Sequence, residues 1–246
     1  MKVYWLEQTA ADLPAENDWL SASETVCLNA MRFAKRRADW RLGRWAAKRA
    51  LSVYLDVPAH PQVLKKMEIR PAASGAPEAY FDNQPAAVTI SLSHSNEVAA
   101  CAVAMAGVEL GCDLEMVEPR SDAFVADYFT TEEQGLVARA SATDRSRLMT
   151  LLWSGKESAL KALREGLRLD TRSVIVIPGN AAFDCLEWSP MEVRHTGPRV
   201  LDHRTFRGWW QYTEGRVRTL VAAPSPNPPI CLRVPVYVPD AAFLCA

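Results

Sequence analysis

The stretch Val98-Ala99-Ala100-Cys101-Ala102-Val103-Ala104-Met105-Ala106-Gly107-Val108-Glu109-Leu110-Gly111-Cys112-Asp113-Leu114-Glu115 contains two apolar runs, 98–105 and 108–114, split by Ala106-Gly107. Runs of this length, rich in valine and ended by a glycine break, predict a hairpin of central strands. Just upstream, residues 87–93 alternate Val88, Ile90 and Leu92 with Thr89, Ser91 and Ser93. That period of two predicts a half-buried strand. A short strand is expected at 3–6, and a loop at 71–77, where proline, glycine and alanine cluster. Residues 23–55 carry a helical pattern, divided into one helix over 23–36 and a longer one from near Ala38.

Downstream, Thr130-Thr131-Glu132-Glu133 fits a capping box, in which hydroxyl and carboxylate each satisfy a free backbone N–H. A longer helix is expected over 145–164, a strand at 174–177, and a second hairpin over 209–222 around Glu214-Gly215. Helix, strand and hairpin thus occur twice. The expected fold class is α+β, with two similar α+β lobes over residues 1–111 and 112–223. A third segment, 224–246, holds six of the sixteen prolines and is expected to be an extended surface arm.

Composition sets outer limits on function. With 246 residues, 49% hydrophobic and 23% charged, the chain can bury a sizeable core. Its net charge of −1 excludes bulk attraction to nucleic acid or membranes, so anion binding must come from a local cluster. The six cysteines form no CxxC and lie at no zinc spacing, which predicts reduced, mostly buried thiols in a cytoplasmic protein. An acid as early as Glu7 does not suit a signal peptide.

Four groups of residues carry chemistry. Asp113 and Glu115 stand at i and i+2 on a strand, so they share a face. They read either as a solvated strand end or as a cation site, because adjacent carboxylates repel without a counter-charge. Glu157 and Lys161 share a helical face with Trp153, on a helix whose leucines mark it as largely buried. They read either as an ordinary surface pair or as a buried functional one. His94, after Ser91 and Ser93, could bind a phosphate or cap a turn. Residues 32–49 hold eight basic side chains and one acid, with Arg37, Arg41, Arg44 and Lys48 along one helical stripe. A solvated face usually alternates its charges. The missing negative charge could come from a multiply phosphorylated ligand, whereas no nucleic-acid module accompanies the stripe.

In this order the pieces resemble the Sfp-type 4′-phosphopantetheinyl transferases. The resemblance rests on Ser93-His94, on Gly111, Asp113 and Glu115, on the Trp153 to Lys161 motif, and on Ser74-Gly75-Ala76-Pro77. It implies a pseudo-dimer of two lobes with the active site in the cleft between them. It also implies transfer of the phosphopantetheine arm of coenzyme A to a serine of a carrier protein, releasing 3′,5′-ADP. Mg²⁺ would be held by Asp113, Glu115 and Glu157, with Glu157 also accepting the serine proton and Lys161 offsetting charge on the leaving group. His94, Ser93 and a cation from the 35–48 basic cluster would take the 3′-phosphate, Arg44 first, then Arg37 and Lys48. Ala76 stands where many relatives have a lysine, so one adenine or phosphate contact is expected to be either absent or supplied differently, for example by Arg70. Arg120, Phe124 and Tyr128 are expected to dock an acidic carrier, and the protein is expected to be a monomer that binds neither nucleic acid nor membrane. The alternatives are a Mg²⁺-dependent nucleotide pyrophosphohydrolase, which would need a further base to activate water, and a non-catalytic binder of coenzyme A or carrier, which should have lost a ligand or Lys161.

Overall fold

The structure is a computed structural model that describes residues 1–179, 183, 186–197 and 203–237. It is a mixed α+β chain that divides into two compact units. One holds Tyr4–Gly107 and the described residues from Ile230 onward; the other holds Met1–Val3 and Val108–Pro229.

The unit that begins at Tyr4 contains strand β1 (Tyr4–Thr9), helices α1 (Ala22–Ala30), α2 (Ala34–Tyr54) and α3 (Pro61–Leu64), and strands β2 (Met67–Pro71), β3 (Pro77–Phe81), β4 (Gln84–Pro85), β5 (Val88–Ser95) and β6 (Val98–Met105). Its main sheet has the order β12-β1-β6-β5, where β12 is Ile230–Cys231. Helix α2 packs on this sheet. Trp45, Ala46, Ala50 and Leu51 share one core with Leu6, Ile90, Cys101 and Val103. Strands β2, β3 and β4 form a small separate sheet, with the expected loop reduced to the turn between β2 and β3.

Two sequence expectations change here. The helical region breaks at 31–33 rather than near Arg37, because Arg37 Nη1 donates to the end carbonyl of α1, Leu28 O, at 3.1 Å. An arginine that satisfies a C-terminal carbonyl marks a helix end rather than a helix interior. The apolar runs 98–105 and 108–114 do not pair as a hairpin either. Strand β6 pairs with β1 and β5, and its hairpin partner is β5 through Asn96 and Glu97, both left-handed at φ 45° and 62°. Two consecutive positive φ values give the primed turn that matches strand twist.

The other unit holds β7 (Glu109–Met116), α4 (Asp122–Tyr128), α5 (Thr131–Arg139), α6 (Arg145–Ala162), β8 (Val174–Pro178), β9 (Ser189–His195), β10 (Arg204–Thr213) and β11 (Arg216–Ala223). The sheet order is β7-β11-β10-β9-β8, so β7 pairs with β11 across residues far apart in sequence. The β10–β11 hairpin turns at Glu214 and Gly215 as expected, both at positive φ. Helix α6 lies on this sheet at unusually close range. A Cβ on Gly111 would stand 1.8 Å from Ser158 O, so only glycine admits the helix backbone there.

Each unit is braced by one buried glutamate–lysine pair. Glu24 closes a capping box with Ser21, takes Lys48 Nζ at 2.5 Å, and accepts from Ile69 N at 3.2 Å. Glu133 closes a capping box with Thr130, takes Lys156 Nζ at 2.7 Å, and accepts from Val176 N at 2.8 Å. Both lysines are fully buried and spend further N–H donors on carbonyls, Lys48 on Trp19 O and Leu64 O, Lys156 on Thr171 O and Val174 O.

The C-terminal segment does more than lie on the surface. Strand β12 extends β1 in parallel, Arg49 Nη2 donates to Pro235 O, and Tyr237 meets Trp45 edge-on at 4.9 Å. Pro239 lies outside the described residues. Of the cysteines, Cys101 and Cys112 are buried while Cys27 and Cys231 are exposed, on α1 and the short β12; Cys185 and Cys245 lie outside the described residues. Among the described residues no helix is long and apolar enough to cross a membrane.

Two stability outcomes follow from this packing. Gly111→Ala should cost at least the ~3 kcal/mol at the top of the overpacking range. A urea midpoint within error of the parent would disprove the close approach. Lys156→Met should cost about 3–5 kcal/mol by leaving Glu133 charged and buried. A loss well under 1 kcal/mol in the same assay, on the scale of an exposed pair, would remove the pair from its bracing role.

Candidate active site

Strand β7 and helix α6 bring the expected carboxylates together. Asp113 and Glu115 lie on the β7 face turned to α6, and Glu157 reaches them from the helix. One oxygen from each of the three lies within 4.8 Å of the other two. Lys161, one turn beyond Glu157, sits among them. Its Nζ is 2.7 Å from Asp113 Oδ1 and 3.7 Å from Glu157 Oε2, and it donates to Cys112 O at 3.1 Å. Beneath the cluster runs a fully buried ladder of hydroxyls. Ser154 and Ser158 contact Thr219 Oγ1 at 2.8 and 2.7 Å, and Thr219 is the sheet partner of Asp113.

The electrostatics show a site short of positive charge. Burial, then the charge of Asp113, pushes Glu157 up to about 7, and the same two causes in the same order raise Glu115. Burial pulls the Lys161 ammonium down, but Asp113 and Glu157 outweigh it and its pKa ends above the usual lysine value. Lys161, even with the Arg120 guanidinium 3.7 Å from Glu115, does not neutralise three carboxylates. An all-oxygen, triply acidic donor set with no sulfur or imidazole suits a hard divalent cation such as Mg²⁺.

Two features of this site escaped the sequence reading. The indole N–H of Trp153 donates to Glu115 Oε1 at 3.2 Å. Arg120, expected on a docking surface, lies 3.7 Å from Glu115 Oε2 and stacks over Phe124 and Trp153 at 4.6 and 5.6 Å. Phe124 is half-buried in the same aromatic group, whereas Tyr128 is 40% exposed. The sequence marked Trp153 by its place one helical turn before Glu157 and as the first residue of the Trp153 to Lys161 motif, but not its bond to Glu115. Arg120 had no such mark, because its loop conformation is not written in local periodicity.

The unit that begins at Tyr4 has a groove of about 520 Å³ of its own, lined by Ser93, His94, Arg44, Lys35, Arg36 and Trp40 among others. Exposed His94 follows buried Ser93 at the end of β5, as expected. The Arg44 guanidinium lies over Trp40 at 4.6 Å, with Nε 3.8 Å from Glu24 Oε1. Lys35 and Arg36, both members of the basic cluster, also line the groove, as does Trp40, which was not singled out from the sequence. Arg37 and Lys48 are not among its lining residues: Arg37 ends α1, and Lys48 is sealed against Glu24. Arg70 is also committed locally, with Nε 2.8 Å from Glu68, Nη2 2.6 Å from Asn83 Oδ1, and the guanidinium over Tyr80.

Comparison with curated proteins finds no match. Residues 109–211 match the family model of the 4′-phosphopantetheinyl transferase superfamily. The matched segment runs from β7 into β10 and contains all three carboxylates, Lys161 and Trp153. The likeness to the 4′-phosphopantetheinyl transferase superfamily thus rests on residues 109–211, the segment that carries the carboxylate cluster.

Proposed function

We propose that this protein transfers 4′-phosphopantetheine from coenzyme A to a serine hydroxyl of a carrier protein, releasing 3′,5′-ADP. The observation that carries the reading is the convergence of Asp113, Glu115 and Glu157 within 4.8 Å, on the segment matched by the superfamily. Mg²⁺ held by these three carboxylates would neutralise phosphoryl oxygens of the coenzyme A pyrophosphate.

The chain's own residues supply the rest. Glu157 would take the proton of the attacking serine; a metal-bound carboxylate is a weak base, so this role needs the serine hydroxyl held close. Lys161, held in place by Asp113 and Cys112 O, would offset charge appearing on the leaving phosphate. In the basic groove, Arg44, Lys35, Arg36 and His94 would receive the 3′-phosphate of coenzyme A, with Ser93 supporting His94. Exposed Tyr128, beside Phe124 and Arg120, would meet the carrier.

Incubation with an apo carrier protein, coenzyme A and Mg²⁺ should add one phosphopantetheine by intact mass, and EDTA should abolish the gain. Coenzyme A cleaved without any mass gain on the carrier would favour hydrolysis instead. Asp113→Ala should lower kcat by about 10²-fold or more, the scale of losing one preorganised electrostatic contact. Unchanged turnover would remove the carboxylate cluster from the chemistry. Arg44→Ala should raise KM for coenzyme A about tenfold, the equivalent of one charge-assisted hydrogen bond, with kcat little altered. An effect confined to kcat would move Arg44 away from the phosphate.

The pH dependence has a defined sign. A glutamate whose folded pKa is raised favours the folded state while protonated, and loses that contribution as pH climbs from its unfolded value through about 7. In metal-free protein, Glu157→Gln should therefore flatten the fall in Tm between pH 5 and 8. Mg²⁺ must displace the same proton, so its affinity should drop by about tenfold per pH unit below 7. Affinity independent of pH would mean that Glu157 is not a ligand.

A further inference from the structure

We propose that Trp153 is a positioning residue that sets the orientation of Glu115 for a divalent cation; the inference rests on the metal reading above. Trp153 stands on α6 one turn before Glu157, so its indole enters the site from the same helical face. The ring is 9% exposed and locked by edge contacts with Phe124 at 5.1 Å and Tyr128 at 5.3 Å. An indole N–H can only donate, and here it donates to Glu115 Oε1 at 3.2 Å.

The choice of donor matters. Glu115 already faces one cation, Arg120, whose Nη2 is 3.7 Å from Oε2, beyond a direct hydrogen bond. A second cation at Oε1 would compete with the metal for the carboxylate charge. A neutral N–H fixes the side chain in direction while leaving that charge uncommitted. A carboxylate offers about four lone-pair sites, so one hydrogen bond still leaves room for a metal ion. Outer partners of metal ligands typically change metal affinity by ~10–100-fold. Glu115 is the ligand that most needs such a partner. Asp113 is buried and bound to Lys161, whereas Glu115 keeps 25% of its side chain exposed and would otherwise sample several rotamers.

The test uses the full chain and Mn²⁺ alone, read by loss of the free-ion EPR signal, with Mg²⁺ as competitor. Trp153→Phe should weaken binding about tenfold. In a Glu115→Ala background the same change should shift affinity by less than about twofold, because no carboxylate is left to orient. If Trp153→Phe does not fold, as judged by metal-free thermal unfolding, benzothienylalanine at position 153 replaces the N–H by sulfur in a ring of the same shape. It should give the same loss of affinity. Binding within twofold of the parent in either variant would overturn the proposal, as would a penalty that persists undiminished in the Glu115→Ala background. A parent protein that binds neither Mn²⁺ nor Mg²⁺ would overturn the metal reading itself, and this inference with it.

Discussion

A buried glutamate gripping a buried lysine is the constraint around which each unit is organised. Glu24 and Glu133 each close the N-terminus of one helix, neutralise a lysine from the next long helix, and accept a backbone N–H from a strand. Three elements therefore meet on one carboxylate. Such a pair adds little net stability over well-packed apolar side chains, but removing either partner strands a charge in the core. Burial depresses both lysines, and the glutamates pull them back. The geometry is thereby fixed sharply: a helix that rotated or slid would leave its lysine without a partner.

This bracing explains how the neighbouring residues face the chemistry. Lys156 and Glu157 are adjacent, and adjacent helical residues point about 100° apart. Anchoring Lys156 inward to Glu133 turns Glu157 toward β7, together with Trp153 and Lys161. Gly111 then lets α6 settle onto the strand, and the hydroxyls of Ser154, Ser158 and Thr219 bond to one another in the buried seam. The separation of Asp113 from Glu157 is thus set by a glycine and a hydroxyl ladder beneath the site.

The like charges held there are costly to the resting protein. Glu157 is raised to about 7 and Glu115 is raised too, with Lys161 and Arg120 as the nearby cations. A protein that only needed stability would place apolar groups in such a position. These like charges leave the cluster short of a cation, and they lie within the segment of the superfamily match.

Sequence by itself determined what depends on neighbours a few residues apart. The α+β class, the capping box at Thr130, the β10–β11 turn, and the shared faces of Asp113 with Glu115 and of Glu157 with Lys161 follow from periods of 2 and 3.6 and from local hydrogen bonding. Tertiary structure alone decided which elements pair and which charges are spent inside. Strands β6 and β7 look like a hairpin because both are apolar, yet they join different sheets, since long-range pairing is chosen by packing rather than by adjacency. Arg37, Arg44 and Lys48 form one stripe in the sequence. In the fold Arg37 closes a helix, Lys48 is buried against Glu24, and Arg44 reaches the groove. A charge on a helical face carries no mark of its partner until the rest of the chain has packed around it.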